Sequence, residues 1–122
     1  MNKQIIILFA VLIFTASGAF AQNIIGTYER VKDFMGAPSV LLIKNDGTFE
    51  LSTGGTSIRG IYNVIDSKII FTDKTGDYAD TLAGEGSYAV LKQGDILDFR
   101  TLKDKAVQRH DVLTSSKWKL MK

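Results

Sequence analysis

The 122-residue chain has no cysteine, one histidine and one proline. Without cysteine it has no disulfide bond, no thiol nucleophile and no cysteine-ligated zinc. It also lacks the residue to which a lipoprotein-type lipid would be attached. With one histidine and no cysteine, the chain has few of the side chains that usually bind transition metals. We therefore expect no metal and no cofactor, and a stability that comes from packing and hydrogen bonds alone.

The chain also has no large excess of positive or negative charge. Fifteen Lys and Arg face thirteen Asp and Glu, a net charge of +2, and the two signs are interspersed along the chain. Nucleic-acid binding needs a basic stripe, and anionic lipid headgroups need a basic cluster. We expect neither partner.

Residues 1–21 have the pattern of a secretory signal peptide. Lys3 precedes an apolar run over residues 5–16, interrupted only by Thr15, and residues 19–21 form a small-x-small cleavage pattern. The run is shorter than the roughly 20 residues of a spanning helix, so a retained membrane anchor is the weaker alternative. The sequence predicts cleavage after Ala21, and a periplasmic or secreted domain over residues 22–122 without a stable membrane anchor.

Beyond the signal, short β-rich runs alternate with turn clusters. Seven runs predict strands, at residues 26–34, 40–44, 48–52, 58–65, 68–72, 87–91 and 96–102; residues 78–82 are a weaker candidate. Asn45-Asp46-Gly47 is a strong hairpin turn, and Gly60 within a strand indicates a bend or bulge.

The C-terminal part has a different pattern. Residues 104–113 predict a short helix with Asp104 as its N-cap, and residues 117–121 predict an eighth strand. Consecutive strands with short turns favour an all-β fold: an eight-stranded antiparallel up-and-down barrel or half-barrel with one short helix near the C-terminus. A two-sheet sandwich is the alternative, although it needs longer crossovers.

Four segments carry a resemblance to small bacterial lipocalin-like domains of the calycin group. They are residues 26–28 at the start of the first strand, residues 45–49, residues 60–64, and the tail from Gly94 through Arg109 to Trp118. Tyr28 stands where lipocalins have tryptophan, and the domain is much shorter than most lipocalins. The resemblance implies a barrel that binds small apolar molecules. It also implies that Arg109 stacks on Tyr28.

A barrel of this size either holds one small ligand or fills itself with side chains. Six aromatic side chains are candidates for the interior, namely Tyr28, Phe49, Tyr62, Phe71, Tyr88 and Phe99. Tyrosine can offer its hydroxyl to a ligand while its ring packs. We therefore take Tyr28, Tyr62 and Tyr88 as candidate ligand-binding residues, with Arg59 at the rim. Plain core packing is the competing interpretation.

Other polar groups suggest no chemistry. His110 and Asp111 are helix neighbours that do not face each other, and the acidic stretch of Asp73, Asp77 and Asp80 reads as a solvated turn. We assign no catalytic residue. The leading hypothesis is an exported protein that binds a small apolar or amphipathic ligand. The alternatives are a barrel enzyme of cyclase or isomerase type and a protein–protein interaction or inhibitor domain, for which the loops near Met35 and Tyr78 are the first surfaces to inspect.

Overall fold

Eight strands follow one another around a closed barrel, and each is hydrogen-bonded antiparallel to the next. The computed structural model describes residues 24–121, so the predicted signal peptide and its cleavage site lie outside the described residues. The elements are β1 (Gly26–Arg30), β2 (Ser39–Ile43), β3 (Thr48–Thr53), β4 (Thr56–Ile65), β5 (Lys68–Gly76), β6 (Gly86–Gln93), β7 (Ile96–Lys103), α1 (Val107–Thr114) and β8 (Trp118–Leu120). This confirms the predicted all-β barrel with one helix, closed rather than half-open.

The residues at the turns determine where the hairpins form. Gly47 has φ 87°, and the Asp46 carboxylate accepts hydrogen bonds from the backbone N–H of Thr48 at 3.0 Å and from its hydroxyl at 2.6 Å. Asp66 and Ser67 both have positive φ, 49° and 66°, as the central residues of a type I′ turn must. These tight turns lie at one end of the barrel, which we call the turn end.

The longer connections and α1 lie at the other end, the helix-capped end. α1 contacts β5 through Arg109, which hydrogen-bonds to Asp73, and contacts β1 through the carbonyl of Val112, which accepts from Arg30. These contacts from opposite parts of the wall place α1 across the barrel mouth.

Alternation directs one face of each strand into the barrel. The core consists of buried apolar side chains from all eight strands, joined by Ile24, Val112 and Leu113: Tyr28, Leu41, Ile43, Phe49, Leu51, Ile58, Tyr62, Ile69, Phe71, Tyr88, Val90, Leu97, Phe99 and Trp118. All six aromatic candidates for the interior are among them. The prediction that they point inward is confirmed.

The predicted irregularity at Gly60 is also confirmed. Arg59 lies opposite Thr75, whereas Gly60 lies opposite Asp73, so Lys74 is an extra residue on β5. A Cβ atom at Gly60 would lie 1.9 Å from the carbonyl oxygen of Thr72. The bulge thus depends on the missing side chain.

Some element predictions were wrong. β1 ends at Arg30, because the chain reverses tightly and Phe34 pairs with Ala37 in an isolated bridge. Residues 78–82 form a loop, held by side-chain bonds such as the one from the Asp80 N–H to Asp73 at 3.0 Å. α1 has Ala106 as its N-cap, because the Asp104 carboxylate lies outside the helix and accepts the Ala106 N–H at 2.9 Å.

Candidate functional site

An aromatic cluster fills the middle of the barrel. The ring of Phe71 meets those of Phe49, Tyr88 and Phe99 edge-on, with centroids 4.8, 6.0 and 6.0 Å apart. These separations fall in the range that such pairs prefer. The interior here is a packed core, as the competing interpretation predicted.

The three candidate tyrosines lie in this core, and each hydroxyl already donates to a protein acceptor. Tyr28 bonds to the carbonyl of Ile24 at 2.9 Å, Tyr62 to that of Lys44 at 2.5 Å, and Tyr88 to Asp104. Burial raises the pKa of Tyr28 to about 12 and also raises those of Tyr62 and Tyr88. The hydroxyls therefore stay protonated at neutral pH. Their role as ligand contacts stays a prediction.

Arg109 is fully buried beneath the helix-capped end. Its guanidinium donates to Asp104 through Nε at 2.8 Å and Nη2 at 2.5 Å, and to Asp73 through Nη1 at 2.8 Å. A fourth bond reaches the carbonyl of Gly84 at 3.2 Å. Burial alone would lower the pKa of Arg109, but its bonds to the two carboxylates outweigh burial and raise it. The cluster thus holds a permanent cation between two anions.

Two predictions about these residues were wrong. Arg109 binds carboxylates instead of stacking on Tyr28, because Asp73 and Asp104 converge on its guanidinium. Asp73 is buried instead of solvated, because its carboxylate accepts from Arg109 and from the backbone of Asp80. The sequence analysis did not predict this cluster. An arginine on the inner side of a helix that caps a barrel needs buried carboxylates nearby, because a buried charge must be paired. That requirement was the signal that could have revealed the cluster.

Arg30 is the second buried arginine, and it shares the inner face of β1 with Tyr28, because side chains two residues apart on a strand lie on the same face. Nε donates to the Val112 carbonyl at 2.9 Å and Nη1 to the Lys32 carbonyl at 2.5 Å, and Nη2 contacts the hydroxyl of Ser115. It thereby satisfies a carbonyl at the end of α1. Arg30 and Arg109 together fix α1 over the mouth.

Beneath α1 remains a cavity of about 10 Å³, lined by β3, β4, Tyr78, Gln108 and Val112. This is about the smallest space that can hold one water molecule. The helix-capped end therefore offers no opening of ligand size at this cavity.

A larger cleft lies on the outer face of the wall, over the bulge in β4 and β5. Its volume is about 340 Å³, and it is lined by Lys44, Thr48, Phe49, Glu50, Arg59, Gly60, Ile61, Lys74 and Thr75. Ile61 is 41% exposed, and Arg59 Nε lies 2.8 Å from Glu50 Oε2. We call it the outer-face cleft. Arg59 thus lies apart from the three tyrosines, on the other side of the sheet.

The remaining polar candidates form no reactive site. The prediction that His110 and Asp111 do not face each other was wrong: His110 Nδ1 lies 3.0 Å from Asp111 Oδ1, because both side chains turn towards each other at the protein surface. Within residues 24–121, no group of three or more His, Asp or Glu side chains is placed to hold a metal ion. In the same range, no helix is both long and apolar enough to cross a membrane.

Comparison with known proteins gives no relative: no protein family, no curated protein and no solved structure matches the chain.

Proposed function

We propose that the chain is an exported, lipocalin-like binding protein for a small amphipathic molecule, and that the ligand binds in the outer-face cleft. The observation that carries the proposal is the contrast between a packed interior and an open cleft of about 340 Å³ with an exposed apolar residue and several cations. Ligand pockets in proteins start at about 300 Å³.

The interior is less suitable for a ligand. A molecule inside would have to displace rings of the aromatic cluster and break the hydroxyl bonds of Tyr28, Tyr62 and Tyr88. In the outer-face cleft it would only displace solvent, and covering Ile61 would be favourable, since burial of a full isoleucine side chain contributes about 1.5–3 kcal/mol. This supports the cleft over the barrel interior.

Binding is also better supported than catalysis. The groups whose pKa values depart most from their ordinary values are Tyr28, Tyr88 and Arg109, which are fully buried in the core. A catalytic group needs a displaced pKa together with access to substrate. These groups have the first property without the second.

A direct test measures binding of 1-anilinonaphthalene-8-sulfonate, an amphipathic anion, to residues 22–122 by fluorescence titration. Ile61→Ser should weaken binding about fivefold or more, because it removes about 1 kcal/mol of apolar contact. Ile65→Ser is the matched control, since Ile65 is exposed on the same strand but does not line the cleft. Absence of binding to the wild type, or equal effects of both variants, would refute the proposed site.

Export rests on the signal pattern of residues 1–21. Expression of the whole chain in a bacterium with a periplasm, followed by N-terminal sequencing of the periplasmic fraction, should give a protein that begins at Gln22. A product that stays in the cytoplasm and begins at Met1 would contradict export without affecting the cleft.

A protein-interaction function has one specific observation in its favour. Met35 and Leu82, at the helix-capped end, are 91% and 98% exposed, and Tyr78 is 52% exposed. Large apolar side chains at loop tips are typical of interaction sites when they form a contiguous patch. A Met35→Ser, Leu82→Ser variant that loses capture of a defined partner while still binding the fluorescent anion would separate this function from ligand binding.

A further inference from the structure

We infer that the ligand of the outer-face cleft carries a negatively charged group, such as a carboxylate, sulfonate or phosphate, and that Lys44 and Lys74 recognise it. This inference rests on the proposed function and specifies the chemical class of the ligand. Of the three cations that line the cleft, only the two lysines are available to a ligand.

Arg59 is already engaged. Its Nε lies 2.8 Å from Glu50 Oε2 across the β3–β4 pair. The two charges cancel, so this pair forms a polar wall rather than an anion site. The charge that remains along the lining is that of the two lysines.

Neither Lys44 nor Lys74 has a carboxylate within 4.0 Å in the part of the chain that the structure describes. Asp46 lies close enough to Lys44 for the lysine to help lower the pKa of Asp46. However, the Asp46 carboxylate is held by the N–H and hydroxyl of Thr48. Both ammonium groups are therefore available to an anion that enters the cleft.

Two different features of the fold position the backbones of the two lysines. Lys74 is the extra residue of the bulge opposite Gly60, which places it at the edge of the cleft. The backbone of Lys44 makes three hydrogen bonds: its N–H donates to the Thr48 carbonyl at 3.0 Å, and its carbonyl accepts from the Tyr62 hydroxyl at 2.5 Å and from the Gly47 N–H at 3.4 Å. Tyr62 thus acts from inside the barrel as a positioning residue for a lysine of the outer cleft.

Ammonium groups recognise negative charge without the paired geometry that a guanidinium imposes, so several kinds of anion are suitable. Ile61 lies among the lining residues and offers an apolar contact beside the charge. The cleft volume is near the lower limit for small-molecule sites. A compact hydrophobic chain or ring system with one anionic group fits these properties.

The test compares octyl phosphate with octyl glucoside, each below its micelle concentration, by isothermal titration calorimetry on residues 22–122. We expect octyl phosphate to bind more tightly, and its binding to weaken with salt because exposed charges are screened. Lys44→Gln with Lys74→Gln should weaken octyl phosphate about tenfold and leave octyl glucoside unchanged. Lys68→Gln with Lys119→Gln, at exposed lysines that do not line the outer-face cleft, is the control and should change neither.

Equal affinity of the wild type for both probes would overturn the inference and leave the proposed function intact. If neither probe binds, both the inference and the proposed function are overturned. Tyr62→Phe should weaken octyl phosphate selectively; an equal loss of both probes would assign Tyr62 a purely structural role and contradict its positioning of Lys44.

An anionic headgroup can belong to a free amphiphile or to a lipid in a membrane. Co-sedimentation with vesicles of phosphatidylcholine containing phosphatidylglycerol, against phosphatidylcholine alone, distinguishes the two sources. Vesicle binding that requires Lys44 and Lys74 would identify a lipid surface, whereas octyl phosphate binding without vesicle binding would identify a free amphiphile. Vesicle binding that does not require the two lysines would contradict the inference.

Discussion

Arg109 and Asp104 form a bidentate ion pair inside the barrel: Arg109 Nε donates to Asp104 Oδ2 at 2.8 Å, and Arg109 Nη2 donates to Asp104 Oδ1 at 2.5 Å. Both side chains are fully buried. The pair joins α1 to the segment that leads into it, and Asp73 extends it to β5. The closure of the helix-capped end therefore depends on this guanidinium together with that of Arg30, which donates to the Val112 carbonyl of α1.

Removing that guanidinium should be strongly destabilising. Arg109→Met keeps much of the volume but leaves Asp73 and Asp104 buried without their cation, and we expect a loss of about 3–5 kcal/mol in the free energy of unfolding. Urea denaturation followed by Trp118 fluorescence measures it. Arg59→Met breaks the exposed pair with Glu50 and should cost about 1 kcal/mol or less. Similar losses in the two variants would show that the buried cluster contributes no more than a surface pair.

The same pair makes stability sensitive to acid. Burial by itself would raise the pKa of Asp104, but hydrogen bonds from Arg109 and Tyr88 outweigh it and hold the pKa below 3.8. The folded pKa is then lower than the unfolded one, so the contribution to stability is present above about pH 4 and is lost as the pH falls through the folded pKa. The free energy of unfolding should fall less steeply with acid in Asp104→Asn than in the wild type. Parallel curves would contradict this.

Tyrosine burial makes stability sensitive to alkali. The pKa of Tyr28 rises from 10.0 to about 12, because burial and the charge of Asp95 disfavour the phenolate. The stabilising contribution is fully present below pH 10 and is lost as the pH rises towards 12. Tyr28→Phe should reduce this alkaline loss, whereas Tyr78→Phe, at an exposed position, should not. Unfolding measured between neutral pH and about pH 11 by circular dichroism distinguishes them.

Gly60 should not tolerate a side chain. A Cβ atom there would lie 1.9 Å from the Thr72 carbonyl oxygen and 2.9 Å from the Phe49 ring, so Gly60→Ala must move the backbone of β5 and should cost about 2 kcal/mol or more. Gly55→Ala, with no heavy atom within 4 Å of the added Cβ, should change stability little. Because Gly60 also shapes the outer-face cleft, Gly60→Ala should weaken anion binding as well. Wild-type stability in Gly60→Ala would refute this account of the bulge.

The sequence predicted the wall of the barrel better than its ends. Turn residues such as Asn45-Asp46-Gly47 and alternating apolar residues are local signals, and they locate hairpins and inward-facing rings correctly. The ion pair between Arg109 and Asp73 is not a local feature, since 36 residues separate the two. The periodicity of apolar residues along the sequence therefore does not predict it. The acidic stretch resembled a solvated turn because the cation that buries Asp73 comes from a distant helix.

The candidate site shows the same limit. The alternation of side chains along a strand explains why Tyr28 and Tyr62 lie inside the barrel, whereas Arg59 lies on the outer face instead of at the rim beside them. What this alternation cannot describe is the depression over the bulge, which arises from a one-residue register shift between β4 and β5. The cleft brings together Lys44, Ile61 and Lys74, which lie on separate segments of the chain.

The order of the strands has a consequence for how this protein is made. β1 lies near one end of the described chain and β8 at the other, and they pair through Tyr28–Leu120 and Arg30–Trp118. The ring cannot be completed until residues 118–120 of β8 have been synthesised. Until then β1 and β7 both present unpaired backbone, the arrangement most prone to pairing with a neighbouring chain. A chain that ends before Trp118 would keep these two edges permanently, so we expect it to aggregate instead of folding as a smaller barrel.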